Sequence, residues 1–501
     1  MLQFAEILQN ESADYAGRLT KAKQHATRWR NAVPQLNAIK VRTFVAAHAT
    51  LDPLLIPVLD SFPVQRLRRV QQLALTQLLY PGATHTRFAH TLGVVDLAGR
   101  YIEKINSATP HSLVSDQERL ICLAYAMVHD VGHYPFAHYL EEIDYASLGS
   151  VGPILHHERV GRAMYCHDQQ LLGIHSPQLR AALEYTIAGF DETTFTRHLG
   201  KEKQRTHLGQ IVDGPIDADK LDYLVRDGNA CGISYANGID VERFLDSIRI
   251  VHSGSTRHLG ISTKGLASAS ELYYTRFHMY SEVYYHKVSR FVAAAVKRAF
   301  LRVIDHVKPE PVQLISVLLK SSEIQVVDFL LDKLNGIDGG RFAPMLNDPF
   351  GSSGRKLFKR IRTYSDIWLS DAKRKDELDL LNMLRDRALS FRTLGSIEAA
   401  VCDEIESAGL MLGGQRACIL IDVPRSKDIS EFPFVVDARG VSYLDQASPI
   451  VFSAAAAQKK SQRVRVFASR ATQEALKKKY SKIEALESYI DDLLIQCCKA
   501  H

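Results

Sequence analysis

The segment Ala124–His138, AYAMVHDVGHYPFAH, gathers His129, Asp130, His133 and His138, side chains that bind metals or carry protons. An apolar run precedes them and Gly132 breaks it. Neighbouring residues on a helix point about 100° apart, so adjacent His129 and Asp130 can share an ion only where the helix ends. Other elements must complete the shell. His90, in THTRFAHTLGV, stands on an apolar helix upstream, and Asp219, in PIDADKLDYLVRDG, stands near the start of a later one. Two imidazoles with two carboxylates make a donor set of intermediate softness. It suits manganese, iron, zinc, cobalt or nickel better than calcium, with magnesium also admissible.

Helices must carry most of these groups. Leu120–Val128 is an apolar run without Gly or Pro, Val288–Ile304 spaces apolar residues three and four apart, and Val312–Leu334 repeats that spacing over a longer span. After about Leu410 the pattern turns to short β-rich runs, ACILIDVP (417–424), FPFVVDARG (432–440) and RVRVFAS (463–469), before Gln473–Cys497 returns to helical spacing. The expectation is a mainly α protein: an N-terminal helical extension (1–42), a catalytic core (43–305), a helical extension of that core (306–410), and a small mixed α/β lobe with a basic C-terminal helix (411–501). The loop DPFGSSGR (348–355) misses the G-x-x-x-x-G-K-[ST] spacing, which excludes a phosphate-loop ATPase.

Composition narrows the class. In 501 residues, 46% hydrophobic and 24% charged residues exclude a disordered or fibrous chain. No run approaches the roughly 18 apolar residues of a membrane span, and the first residues lack a signal-peptide layout. A cytoplasmic protein with no membrane partner is expected. The seven cysteines are scattered without a C-x-x-C pair, so neither a disulfide framework nor a thiolate zinc site is signalled. The net charge of +6 is concentrated between Lys459 and Lys482, where nine basic residues face one acid, Glu474. That stretch could meet phosphates, including single-stranded nucleic acid.

In order, H…HD…D and its flanks resemble the HD-domain metal phosphohydrolases, and within them the deoxynucleoside triphosphate triphosphohydrolases, including the type with a sterile-alpha-motif domain. The likeness runs through VQRLRRVQQLALTQLLYPGATHTRFAHTLGV (64–94), HDVGHYPFAH (129–138), HHERVG (156–161), DADKLDYLVRD (217–227), Arg276 to HK (286–287) and RKLFKRI (355–361), roughly residues 43–470. The residues before it are too few for a sterile-alpha-motif domain, which is expected to be absent.

The resemblance implies His90, His129, Asp130 and Asp219 as metal ligands, with Arg87, Lys220 and Arg276 on the triphosphate. It implies hydrolysis at the α-phosphorus by water that the ion acidifies, releasing nucleoside and intact tripolyphosphate. His138 would give the departing oxygen its proton, oriented by Glu141 and His157, and His133 would contact phosphate or support the ligands. The family carries Asp where this chain has Glu141. Gln72 and Asp227 would bond the 3′-hydroxyl. Leu73 and Tyr284 would fill the space of a 2′-hydroxyl, and Tyr223 would add a wall. Tyr280 replaces a His of the sterile-alpha-motif relatives.

Such relatives form tetramers around GTP and dNTP effectors. The matching positions are Asp60, Gln65, Arg68, Arg355 and Lys359, although the Asp-Pro-x-His-Gly entry motif is replaced by TFVAA at 43–47. A homo-oligomer, dimer or tetramer, is therefore expected. Two other readings stand beside dNTP hydrolysis. One is a nuclease or phosphodiesterase acting on single-stranded nucleic acid through Lys459–Lys482. The other is a non-catalytic nucleotide sensor.

Overall fold

Three helices position the chemistry at their ends. In the computed structural model, which describes residues 39–41, 49–108, 113–167, 206–254, 256–335, 346, 358–365, 374–411, 417–425, 429, 431–460 and 462–501, the first is α1, Arg87–Ser107. It opens at Thr86, whose hydroxyl accepts a hydrogen bond from Ala89 N. Helix α2, Asp116–Val128, opens on a capping box between Ser115 and Glu118 and runs directly into His129. Short α3, Ala137–Leu140, follows Phe136, which sits in the left-handed region at φ 64°. Helix α4 spans His157–His167. Helix α5, Ala218–Cys231, is capped by Asp217, which accepts from Lys220 N and Gly214 N, and stops at left-handed Gly232.

Helix α1 packs on both α2 and α5. A Cβ on Gly93 would stand 1.9 Å from Asp222 Oδ1, so glycine is what lets α1 and α5 approach this closely. Buried Val94, Leu97, Ala98, Tyr101, Leu123, Met127, Leu221 and Leu224 fill the shared interior.

Beyond them, α6, Leu266–His278, continues into a π turn, Met279–Tyr284. Helix α7, Lys287–Val307, crosses the core. The long span expected over Val312–Leu334 is two helices, α8 (Pro311–Lys320) and α9 (Glu323–Leu334), because Ser322 and Gln325 form a capping box that restarts the chain. Helix α10 covers Phe391–Ser407. The expected terminal helix is likewise divided, into α11 (Arg470–Lys479) and α12 (Ile483–Ala500).

The strands are β1 Ile39–Val41, β2 Ala49–Leu51, β3 Ile248–Ser253, β4 Thr256–Ser262, β5 Lys359–Tyr364, β6 Ile419–Asp422, β7 Phe434–Asp437, β8 Gly440–Tyr443 and β9 Val464–Ala468. The three β-rich runs foreseen after residue 411 form β6, β7 and β9. Two of them, β7 and β9, also pair with strands from earlier in the chain, β4 and β5. One sheet has the order β3-β4-β7-β8, with β4 and β7 parallel (Gly260↔Phe434, Ile261↔Val435), and another has β5-β9-β6, all antiparallel. The change of pattern near 411 is therefore not a seam in hydrogen bonding, and the extension expected to be helical contains β5.

Buried charges tie the same regions together. The Arg290 guanidinium on α7 grips Glu142 at 2.8 and 2.9 Å and Asp422 of β6 at 2.9 and 2.7 Å, and Lys297 Nζ lies 2.5 Å from Glu142. The fold is mainly α with small sheets toward the C-terminal part. Among the described residues no helix is long and apolar enough to cross a membrane. Residues 1–38, the TFVAA segment and Arg355 lie outside the described residues.

Candidate metal and nucleotide site

His90, His129, Asp130 and Asp219 converge. His90 points inward from the first turn of α1, and the α2 terminus delivers His129 and Asp130. His90 Nε2 lies 2.9 Å from Asp219 Oδ1 and 3.9 Å from Asp130 Oδ2, and His129 Nε2 lies 3.8 Å from Asp219 Oδ1 and 3.5 Å from Asp130 Oδ1. An ion held at about 2.1 Å places neighbouring donors about 3.0 Å apart in an octahedron and about 3.4 Å in a tetrahedron, so these separations are of the size a small divalent metal requires, and the ligand atoms of His90, His129 and Asp130 all lie within 4.8 Å of one another.

The outer partners fix which nitrogens would face an ion. His129 Nδ1 bonds the Ala126 carbonyl at 2.8 Å, leaving a buried Nε2 with no hydrogen-bond partner among the described residues. His90 Nδ1 lies 2.7 Å from Asp222 Oδ2, and Asp222 is itself held by Arg226 at 2.7 and 2.8 Å. Burial alone would lower the His90 imidazole, but Asp219 and Asp222 push it up to about 10. The carboxylates demand a positive charge at this point. Burial would raise Asp130, yet His133, Arg87 and His129 hold it well below the usual carboxylate range. Ionised carboxylates and a local demand for positive charge are what a divalent cation needs.

A cluster of imidazoles adjoins the ligands. His133 Nδ1 is 3.0 Å from Asp130 Oδ1, and His133 Nε2 is 3.3 Å from His138 Nε2. His157 stacks on His133 with ring centroids 3.9 Å apart. Glu141 joins the cluster, 2.6 Å from His157 Nδ1 and 3.5 Å from His138 Nδ1. Glycine at 132 permits this: a Cβ there would lie 1.8 Å from the His157 carbonyl oxygen. The left-handed Phe136, a conformation costing about 1 kcal/mol or more, turns the chain so that His138 faces back toward His133. Arg66 clamps the turn by donating to the carbonyls of Val131 and His133. Burial lowers His133 far below the usual imidazole value, helped by Arg87 and His157. Burial also lowers His138, against the pull of Glu141. Water reaches about half of the His138 side chain (52% exposed), yet the imidazole sits within a concave wall of protein.

A cavity of about 750 Å³ opens there, lined by Arg87, His138, Glu141, Asp219, Lys220, Gln72, Leu73, Tyr223, Asp227, Tyr280 and Tyr284. Arg87 donates to Asp130 Oδ2 at 2.8 Å, and Lys220 pairs with Asp217 at 2.6 Å. Arg276 stands behind the lining, its guanidinium 5.7 Å from the Tyr280 ring. Asp227 is held on both oxygens, by His85 Nε2 at 2.8 Å and by the Tyr284 hydroxyl at 2.7 Å. Tyr284 is thus polar at its tip and not only an apolar wall.

Sequence reasoning missed Asp222 and His85. Asp222 follows Asp219 by three residues on α5, a spacing that shares a helix face and could have found it. His85 precedes α1 in a loop, and no periodicity points to it.

The remaining expected positions that the structure describes lie on the segment before α1 and on β5. Asp60 is exposed at a helix end, Gln65 accepts from Arg68 Nε at 2.8 Å, Arg68 lies over the Phe88 ring at 3.6 Å, and Lys359 is exposed on β5. The basic stretch is thinner than its count. Arg465 is buried and donates to the Tyr285 carbonyl, and Arg470 pairs with Glu474, whereas Lys459, Lys460, Lys477, Lys478, Lys479 and Lys482 are exposed.

The chain is similar to known proteins over much of its length. Residues 87–224 match the HD domain and residues 239–489 the HD associated region. An uncharacterized protein of Methanocaldococcus jannaschii is 31% identical over 290 residues, 58% of this chain and 54% of its own. The deoxynucleoside triphosphate triphosphohydrolase SAMHD1 of Xenopus laevis is 28% identical over 295 residues, 53% of this chain and 45% of its own, and the human protein is 27% identical over 284. The chain spans about half the length of these curated relatives. In fold, a phosphohydrolase of Bacteroides thetaiotaomicron superposes with a TM-score of 0.61 at 19% identity, covering 87% of this chain and 100% of its own.

Proposed function

This chain belongs to the HD-domain phosphohydrolases, and from that premise we propose that it is of the deoxynucleoside triphosphate triphosphohydrolase type and converts a dNTP to deoxynucleoside and tripolyphosphate. The carrying observation is that one cavity brings together the ion-facing Asp219, the cations Arg87 and Lys220, the acid His138 and a notch of Gln72, Leu73, Asp227 and Tyr284.

His90, His129, Asp130 and Asp219 would hold a divalent ion, which would supply Lewis acidity and lower the pKa of water. The protein's own groups do the rest. Arg87 and Lys220 bind the phosphate oxygens; their pairing with Asp130 and Asp217 orients them beforehand. His138 holds a proton at Nε2 for the departing 5′-oxygen, and the Glu141 carboxylate stabilises the imidazolium that carries it. Glu141 is fit for this role: burial would raise it, but His138 and His157 keep it ionised. Asp227 accepts from the sugar, and the Tyr223 and Tyr284 rings bound the notch.

By the same likeness the protein acts as a cytoplasmic homo-oligomer, with Asp60, Gln65, Arg68, Arg355 and Lys359 as candidate positions for a GTP or dNTP effector. A lag or sigmoidal rate with a single dNTP, relieved by GTP, is the expected sign. A hyperbolic rate in a fixed oligomer would remove the effector.

The primary test is chromatography of products from all four dNTPs, with and without GTP, across several divalent metals, beside labelled single-stranded DNA. Deoxynucleoside with tripolyphosphate is the expected result. Shortened oligonucleotide without dNTP turnover would replace this reading with a nuclease. No hydrolysis with any metal would leave a nucleotide sensor.

A further inference from the structure

His85 touches both halves of the sugar notch without lining it. Its backbone carbonyl accepts from Gln72 N at 3.0 Å, which fixes the loop carrying Gln72 and Leu73. Its side chain, 6% exposed, places Nε2 2.8 Å from Asp227 Oδ1. Nδ1 has no hydrogen-bond partner among the described residues. A ring that donates from Nε2 to Asp227 satisfies this arrangement.

From this junction we infer that His85 is a positioning residue for sugar selection: it aims Asp227 so that the lone pairs left free accept only from a donor, restricting the site to nucleotides with a free 3′-hydroxyl. The inference rests on the nucleotide reading above. Asp227 is only 2% exposed and already accepts from His85 on one oxygen and from Tyr284 on the other. Both bonds lock the carboxylate plane, and what remains of its acceptor capacity opens on the cavity that Asp227 lines. A 3′-hydroxyl completes it. A 3′-hydrogen leaves a buried acceptor unmet, and a 3′-phosphodiester brings negative charge against the carboxylate. Nucleotides within a nucleic-acid strand are excluded for the same reason.

The test compares wild type, His85→Phe, which keeps a planar ring but no N–H, and His85→Gln, which keeps a donor. Each is assayed with a dNTP and with the matching 2′,3′-dideoxynucleotide. Wild type should favour the dNTP in kcat/KM by about 10- to 100-fold. His85→Phe should lose about that factor on the dNTP alone, so that the ratio falls toward one, while metal content stays unchanged. His85→Gln should restore most of the ratio. A ratio unmoved in His85→Phe, or equal behaviour of the two variants, would overturn the role. Should His85→Phe fail to fold in a thermal melt, His85→Asn, too short to reach Asp227, takes its place. Calorimetric binding of both nucleotides to the same proteins separates the two levels of inference. Absence of hydrolysis by wild type defeats the triphosphohydrolase reading, whereas equal affinity of wild type for the two nucleotides defeats the role of His85.

Discussion

Replacing His138 by alanine should divide chemistry from binding, because the imidazole touches the cavity but not the four ion-facing groups. His138→Ala is expected to retain its metal, read by elemental analysis, while kcat falls about 10²–10⁴-fold. The depressed pKa leaves His138 neutral near pH 7 in the free protein, and a bound polyphosphate favours its protonated form. The kcat of wild type should therefore decline as pH rises, and that alkaline limb should vanish in His138→Ala. Glu323 offers a stability counterpart. Burial raises its carboxyl from 4.5 to about 7, although its side chain accepts from Gln71 N at 3.0 Å. A raised acid weakens the fold as pH climbs from 4.5 through 7 and has no such effect below 4.5. Glu323→Gln should thus stabilise by up to about 3 kcal/mol at pH 8 and by much less at pH 5 in urea unfolding. At this scale the sequence yielded His90, His129, Asp130 and Asp219 as a set because order and neighbouring residues restrict the choice. It concealed His85, whose part is set by a contact with Asp227 across the fold.

Helix contacts determine how firmly the ion is held. Adding one methyl at Gly93 drives α1 from α5 at the point where His90 meets Asp222. Gly93→Ala is expected to lose about 1–3 kcal/mol in denaturant and to weaken divalent-ion affinity about 10–100-fold by titration. Unchanged affinity would show that Asp222 does not govern His90. Helices with a clear apolar stripe, such as α2 and α7, were legible in the chain. The break between α8 and α9 was hidden because apolar spacing continues across Ser321 and Ser322, and only the capping box reveals it. Strand β5, KRIRTY, was hidden by its own charges: Arg362 is held by Glu377, Glu487 and Asp491, so its polarity is satisfied internally and not by water.

On the scale of the whole molecule, Asp422 links the late sheet to the segment carrying Glu141, through Arg290 and Glu142. Removing one member of a buried ion cluster leaves a charge uncompensated, so Asp422→Ala should cost about 3–5 kcal/mol in unfolding free energy. It should also lower kcat, and unaltered stability would show that Glu142 alone suffices for Arg290. Stripping a bound metal with a chelator should lower the melting temperature, since an ion that binds the assembled site and not the unfolded chain stabilises the fold. The parallel bond ladder between Gly260 and Phe434 bears on synthesis as well. A ribosome adding about 5–20 residues per second needs roughly 10–35 s to travel from one strand to the other. During that interval the nascent hydrolase exposes an unmatched sheet edge, a natural foothold for chaperones, and acquires its finished shape only as the tail emerges.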